Sequence, residues 1–85
     1  MYRVSYKKSA LKGMAKMPHD VRAKLESAIT RLAEDPGDRT LDVKPLQGRE
    51  GYRLRLGQWR VLFHRDDEGL VILVVDAGPR GDIYK

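Results

Sequence analysis

The pattern of the 85 residues predicts an α+β domain of order β-α-α-β-β-β, in which a mainly antiparallel four-stranded sheet packs two helices on one face. Three observations carry this expectation. Tyr2, Val4 and Tyr6 alternate with Arg3 and Ser5 at the start of the chain. Apolar residues then recur at helical spacing between Leu11 and Leu32. From Glu50 onward the period changes to two.

Residues 2–6 are rich in β-formers and read as a short, half-buried strand that Lys7 and Lys8 close. In SALKGMAKM, Leu11, Met14 and Ala15 fall at helical spacing after Ser9, the expected N-cap. Gly13 costs that helix about 1 kcal/mol relative to alanine, so it should be short and dependent on tertiary support. Pro18 opens a second helix, PHDVRAKLESAITRLAED, in which Val21, Leu25, Ala28, Ile29 and Leu32 form one apolar stripe. Pro36 disfavours helix at Asp35 and Gly37 permits the turn away, so a loop follows to about Arg49.

In YRLRLGQWRVLF, Tyr52, Leu54 and Leu56 alternate with Arg53 and Arg55, and beyond Gly57-Gln58 the alternation resumes with Trp59, Val61 and Phe63. A two-residue loop with glycine first suits a type II′ hairpin turn and pairs Leu56 with Trp59, Arg55 with Arg60, Leu54 with Val61 and Arg53 with Leu62. In that register Arg53, Arg55 and Arg60 share a face. RDDEG reads as a second turn, and LVILVVD as a strand buried on both faces in the middle of the sheet. Gly78-Pro79 is expected to leave that strand. No repeat or linker divides the chain, which is expected to form a single domain over residues 1–85.

Seventeen lysines and arginines against twelve acids leave a net charge of +5, which favours a polyanionic partner. The absence of cysteine excludes disulfides and thiolate chemistry, and two histidines, His19 and His64, are too few for an ordinary metal cage. No metal or other cofactor is expected. No stretch resembles a signal peptide or a membrane span, which points to a cytoplasmic protein with no membrane partner.

Between Arg39 and Arg65, seven basic residues (Arg39, Lys44, Arg49, Arg53, Arg55, Arg60 and Arg65) face two acids (Asp42 and Glu50), a net +5. Like charges opposed across a hairpin destabilise it, so stability alone does not select an Arg55–Arg60 pair. Two readings are open at this level: solvated edge residues that block sheet-to-sheet aggregation, or a site for an anion that relieves the repulsion.

The stretch from Lys44 to Lys85, with Leu46, Gly48, Tyr52, Arg53, Arg55, Gly57, Arg60, Val61, Gly78, Arg80, Asp82 and Tyr84, resembles the C-terminal half of the RelE/ParE toxin superfamily of type II toxin–antitoxin systems. Members typically read L-x-G-x-x-x-Y-R-x-R-x-G-x-Y-R-V-x-Y, an apolar strand, then G-x-R-x-x-x-Y. The preceding strand and helical hairpin fit in order and length. The resemblance implies a RelE-like, microbial-RNase type of fold. In the RelE-like branch it implies a metal-independent, ribosome-dependent endoribonuclease that cuts mRNA in the ribosomal A site by attack of the 2′-OH, inhibiting translation. Carried over by position, Arg60, Arg80 and Tyr84 are catalytic, and Arg53 and Arg55 bind the RNA backbone, with Lys44 and Arg49 beside them in the basic segment. The implied partners are a small RelB-like antitoxin, the ribosome and mRNA, with operator DNA met only through the antitoxin complex.

The chemistry is consistent with that implication. Metal-free RNA cleavage deprotonates the 2′-OH, holds charge on the phosphorane and protonates the leaving 5′-oxygen; a guanidinium suits the second task because it forks onto phosphate oxygens. Some RelE-like toxins carry lysine where this chain has Arg53 and Arg55, and arginine cannot serve as a base, so that duty passes to Tyr84, His64 or a ribosomal group. His64 shares strand parity with Arg60, but it matches no functional position of the family and is better read as a surface histidine at a strand end. Two other readings fit the same fold: a ParE-like toxin that inhibits DNA gyrase, and a catalytically silent binding or repressor-complex subunit.

Overall fold

The protein is described by a computed structural model over residues 1–79, so Arg80 and Tyr84 lie outside the described residues. Along the chain run β1 (Arg3–Tyr6), α1 (Lys8–Ala15), α2 (His19–Glu34), β2 (Asp42–Pro45), β3 (Tyr52–Leu56), β4 (Trp59–Asp66) and β5 (Val71–Pro79). The strands form one sheet in the order β1-β5-β4-β3-β2. Strands β2 to β5 make an antiparallel meander, and β1 joins β5 in parallel.

The α+β class and the mainly antiparallel sheet match expectation, but the sheet has five strands rather than four. The additional one, β2, falls in the segment expected to be a loop. Asp42-Val43-Lys44-Pro45 offers one apolar residue and ends in proline, too little for a periodicity signal; it becomes a strand by pairing with β3. Its place at the edge of the sheet is where proline is tolerated.

Helix α2 follows its stripe. Pro18 precedes it, Leu25, Ala28, Ile29, Leu32 and also Ala33 are buried, and Val21 is half-buried. Helix α1 differs in its start. Its N-cap is Lys7, and Ser9 lies inside the helix with its hydroxyl donating to the Val75 carbonyl at 2.6 Å, so this side chain ties α1 to β5 instead of capping it. Gly13 has a second role as well. A Cβ at that position would stand 1.9 Å from the Ala77 carbonyl oxygen, so the absence of a side chain is what lets α1 lie against β5.

The β3–β4 hairpin has the expected register, from Leu56 opposite Trp59 to Tyr52 opposite Phe63. Gly57 takes φ of 60°, whereas among the described residues Leu70 is the one non-glycine with positive φ, so Gln58 keeps a negative φ as a type II′ turn requires. In the turn before β5, Gly69 is not the residue that goes left-handed. Leu70 does, at φ 54°, while the Asp66 carboxylate accepts from the backbone N–H groups of Glu68 and Gly69.

The core lies between the helices and one sheet face, where Leu54, Val61, Phe63, Ile72, Val74 and Ala77 meet Ala10, Met14, Leu25 and Ile29. The Tyr52 and Phe63 rings stack at 5.5 Å across the hairpin. Strand β5 is not buried on both faces: Ile72 and Val74 are buried, but Val71, Leu73 and Val75 are half-buried, because among the described residues both helices pack on the other face. It also continues through Gly78 and Pro79, paired with Arg60 and Trp59. A register shift leaves Val75 as the extra residue of a bulge, which turns Asp76 to the side of Leu62 and returns Ala77 to the core.

Candidate nucleic-acid interface

Because Leu54, Val61 and Phe63 point into the core, the alternation of β3 and β4 sends Arg53, Arg55, Arg60 and Leu62 to the face away from the helices. The pairings arrange that face in rows. Lys44, Arg53, Leu62 and Asp76 lie along one; Asp42, Arg55, Arg60 and Gly78 lie along the next.

These arginines are not edge protection. Both β3 and β4 are interior strands, and Arg53 and Arg60 are only 8% and 9% exposed. Arg55 is exposed. Leu62 is fully buried although it lies outside the helix-side core, and it stands between Arg53 and Asp76 in register; the aliphatic stems of long side chains can cover apolar surface in this way.

The residue that organises the cluster is one that sequence reasoning counted only as an opposing charge. Asp42 stands opposite Arg55 in register, and its two oxygens accept from different guanidiniums: Oδ2 from Arg55 Nε at 2.7 Å and Oδ1 from Arg53 Nη2 at 3.2 Å. A carboxylate between two guanidiniums offsets the repulsion that the Arg55–Arg60 pair imposes and gives the buried Arg53 charge a partner. The signal was the Asp-Val-Lys alternation of residues 42–44, which shows its meaning only once β2 is paired.

Lys44 is exposed and adjoins Arg53 across β2 and β3. Arg49 is elsewhere. It lies in the loop between β2 and β3 and lines a shallow groove with Tyr52, His64 and Arg65, at the opposite end of the hairpin from Arg60. His64 shares the parity of Arg60, but four residues along a strand separate their backbones by about 13 Å. Arg53, Arg55, Arg60 and Lys44 are thus brought together, Arg49 and His64 belong to a separate group, and Arg80 and Tyr84 fall outside the described residues. Among the described residues no group of three or more His, Asp or Glu side chains is placed to hold a metal ion, and no helix is long and apolar enough to cross a membrane.

Chemically, a half-open row of guanidiniums on a firm sheet is suited to phosphate oxygens, since Arg53 and Arg55 carry N–H donors beyond those that Asp42 engages. A model of the ParE toxin of type II toxin–antitoxin systems matches residues 4–84. No curated protein matches the chain. Among solved structures, the chain is similar to the archaeal RelE–RelB complex from Pyrococcus horikoshii OT3, with 28% identity, a TM-score of 0.81 and coverage of 95% of this chain and 97% of that one. It is similar also to the RelBE2 toxin–antitoxin complex from Mycobacterium tuberculosis, with 29% identity, a TM-score of 0.74 and coverage of 93% and 98%. The isolated E. coli RelE toxin gives 25% identity, a TM-score of 0.77 and coverage of 99% and 92%.

Proposed function

The chain belongs to the RelE/ParE superfamily of toxins of type II toxin–antitoxin systems, with its fold in the RelE-like branch, and on that premise we propose that it is a ribosome-dependent endoribonuclease that cleaves mRNA. The observation that supports this reading is the cluster of Arg53, Arg55 and Arg60 on two interior strands, two of them buried, on the sheet face that the helices leave uncovered.

In this reading Arg53 and Arg55 hold the RNA backbone, joined by Lys44 at the rim. Arg60 stabilises the phosphorane charge as the 2′-oxygen attacks and the 5′-oxygen leaves, producing a 2′,3′-cyclic phosphate. Arg80 and Tyr84 complete the site. The separation of His64 from Arg60 leaves Tyr84 or a ribosomal group to take the 2′ proton. Arg49 is then a peripheral contact. Positioning by the ribosome supplies several kcal/mol of barrier lowering that this small site does not provide by itself. A RelB-like antitoxin is the expected partner, silencing the toxin by covering the arginine face.

Primer extension on translating ribosomes tests the reading. Wild-type protein should produce cuts within A-site codons, and Arg60→Ala should slow cutting on the order of 10²- to 10³-fold, the usual loss for one aimed donor at a developing oxyanion. Absence of cuts, or full activity in Arg60→Ala, refutes it. A second reading has its own support, because the matching family model describes the ParE toxin. Gyrase-trapped DNA breaks with intact mRNA would establish that alternative.

A further inference from the structure

The arginine face accounts for only one of two strongly basic segments. From Arg3 to Lys24 the chain carries Arg3, Lys7, Lys8, Lys12, Lys16, Arg22 and Lys24 against Asp20 alone, a net +6. Lys8, Lys12 and Lys16 recur every four residues along α1 and its C-cap, about 6 Å apart by helix rise, and all three are exposed. Like charges at that spacing destabilise a helix, α1 contains no acid, and no ion pair among the described residues engages these lysines.

Beside this stripe runs a groove of about 440 Å³ lined by Lys12, Gly13, Lys16, Trp59, Asp76 and Pro79, among others. Trp59 is half-buried there and is the only tryptophan of the protein. Asp76 is the acid of the groove, and its Oδ1 accepts from the Ala77 N–H. The groove adjoins the candidate site: Trp59 precedes Arg60, and Pro79 follows Gly78, which pairs with Arg60. The two surfaces meet at the end of the sheet that carries the Gly57-Gln58 turn.

We propose that the Lys12–Lys16–Trp59 groove is a second binding site for single-stranded RNA, in which a base stacks on the Trp59 indole and the adjacent backbone lies along the α1 lysines. A lysine stripe beside an aromatic face is the usual combination for a single strand. A flexible strand can pass from the arginine row around the end of the sheet into the groove, whereas a duplex, stiff over lengths far greater than this protein, cannot follow that turn. The inference rests on the RNA-binding reading of the arginine face.

Trp59 supplies its own probe. The full chain is titrated with a labelled twelve-residue oligouridylate at low salt, following anisotropy of the RNA and intrinsic tryptophan fluorescence. The expected result is saturable quenching of Trp59 that tracks binding. Lys12→Ala with Lys16→Ala should weaken binding on the order of tenfold and make the salt dependence shallower by about 1.4 in log–log slope, at about 0.7 per lost phosphate contact. Both are surface changes whose folding is checked by circular dichroism. RNA binding that is lost in an Arg53→Ala, Arg55→Ala protein, but leaves Trp59 unquenched and ignores the lysine changes, overturns this inference alone. No RNA binding by the intact protein overturns the arginine reading with it. Quenching by oligoglutamate of the same length but not by RNA also overturns it, in favour of an acidic protein partner.

Discussion

Asp42 and Arg55 face each other across β2 and β3 with the carboxylate Oδ2 2.7 Å from the arginine Nε, so the candidate anion site is held by an anion of the protein's own. The same carboxylate reaches the nearly buried Arg53. It therefore has two separable effects: it stabilises the fold by partnering a buried charge, and, in the proposed reading, it would compete with phosphate for the same guanidiniums.

Asp42→Asn should separate them. Loss of the partner of a largely buried cation is expected to lower unfolding free energy by about 1–3 kcal/mol in urea titrations. Retention on heparin should nevertheless increase, because the substitution removes one negative charge from the middle of the cluster. Weaker heparin retention would assign Asp42 a purely organising role.

Gly13→Ala is expected to destabilise in spite of helix propensity. Alanine would favour α1 by about 1 kcal/mol in an isolated helix. In the fold its Cβ would meet the Ala77 carbonyl at 1.9 Å, which forces α1 away from β5. Overpacking of this kind costs about 1–3 kcal/mol, and with backbone as the obstructing group the upper end of that range outweighs the helix gain, so a net loss should appear as a lowered urea midpoint.

Leu70→Asn or Leu70→Gly should stabilise the protein by about 0.5–1 kcal/mol. Leu70 is exposed and holds φ of 54°, a conformation in which its side chain crowds the following carbonyl, so little packing is lost when it is replaced. Thermal unfolding of the two variants against wild type measures the gain.

A small network at the sheet margin predicts the pH profile. Tyr2 donates its hydroxyl hydrogen to Asp67 Oδ1 at 2.8 Å, and Arg65 Nε donates to the same oxygen at 2.6 Å. The hydrogen bonds from Arg65 and then Tyr2 hold the Asp67 carboxyl below its ordinary range, and the bond to Asp67, followed by burial, raises the Tyr2 phenol. The depressed carboxyl contributes fully above its unfolded pKa of about 4 and loses the contribution as pH falls through the folded value. The raised phenol contributes fully below about 10 and loses the contribution as pH climbs through its folded value. Asp67→Asn should flatten the acid limb of stability against pH, and Tyr2→Phe the alkaline limb.

Much of this arrangement is legible in the linear pattern. The α2 stripe, the β3–β4 register and the shared face of Arg53, Arg55 and Arg60 depend on periodicity and turn chemistry contained within about a dozen neighbouring residues, so they could be read directly. Lys44 was drawn to the cluster by charge alone, and its place beside Arg53 comes from the pairing of β2 with β3. Arg49 and His64 were drawn toward the site by charge and parity, neither of which measures distance along a strand.

What tertiary structure alone decided involves partners far apart in the chain. Residues 42–45 are a strand because β3 is beside them, and Asp42 becomes the clamp of the arginine cluster through that pairing. Gly13 reads locally as a weakness of α1, yet its contact is with Ala77. The burial of Arg53 and Arg60 follows from the position of β3 and β4 inside a five-stranded sheet. Local patterns specify which way a side chain points, because helix and strand repeats are short-range geometry. They do not specify what it meets, because that is set when distant segments close on one another and desolvate together.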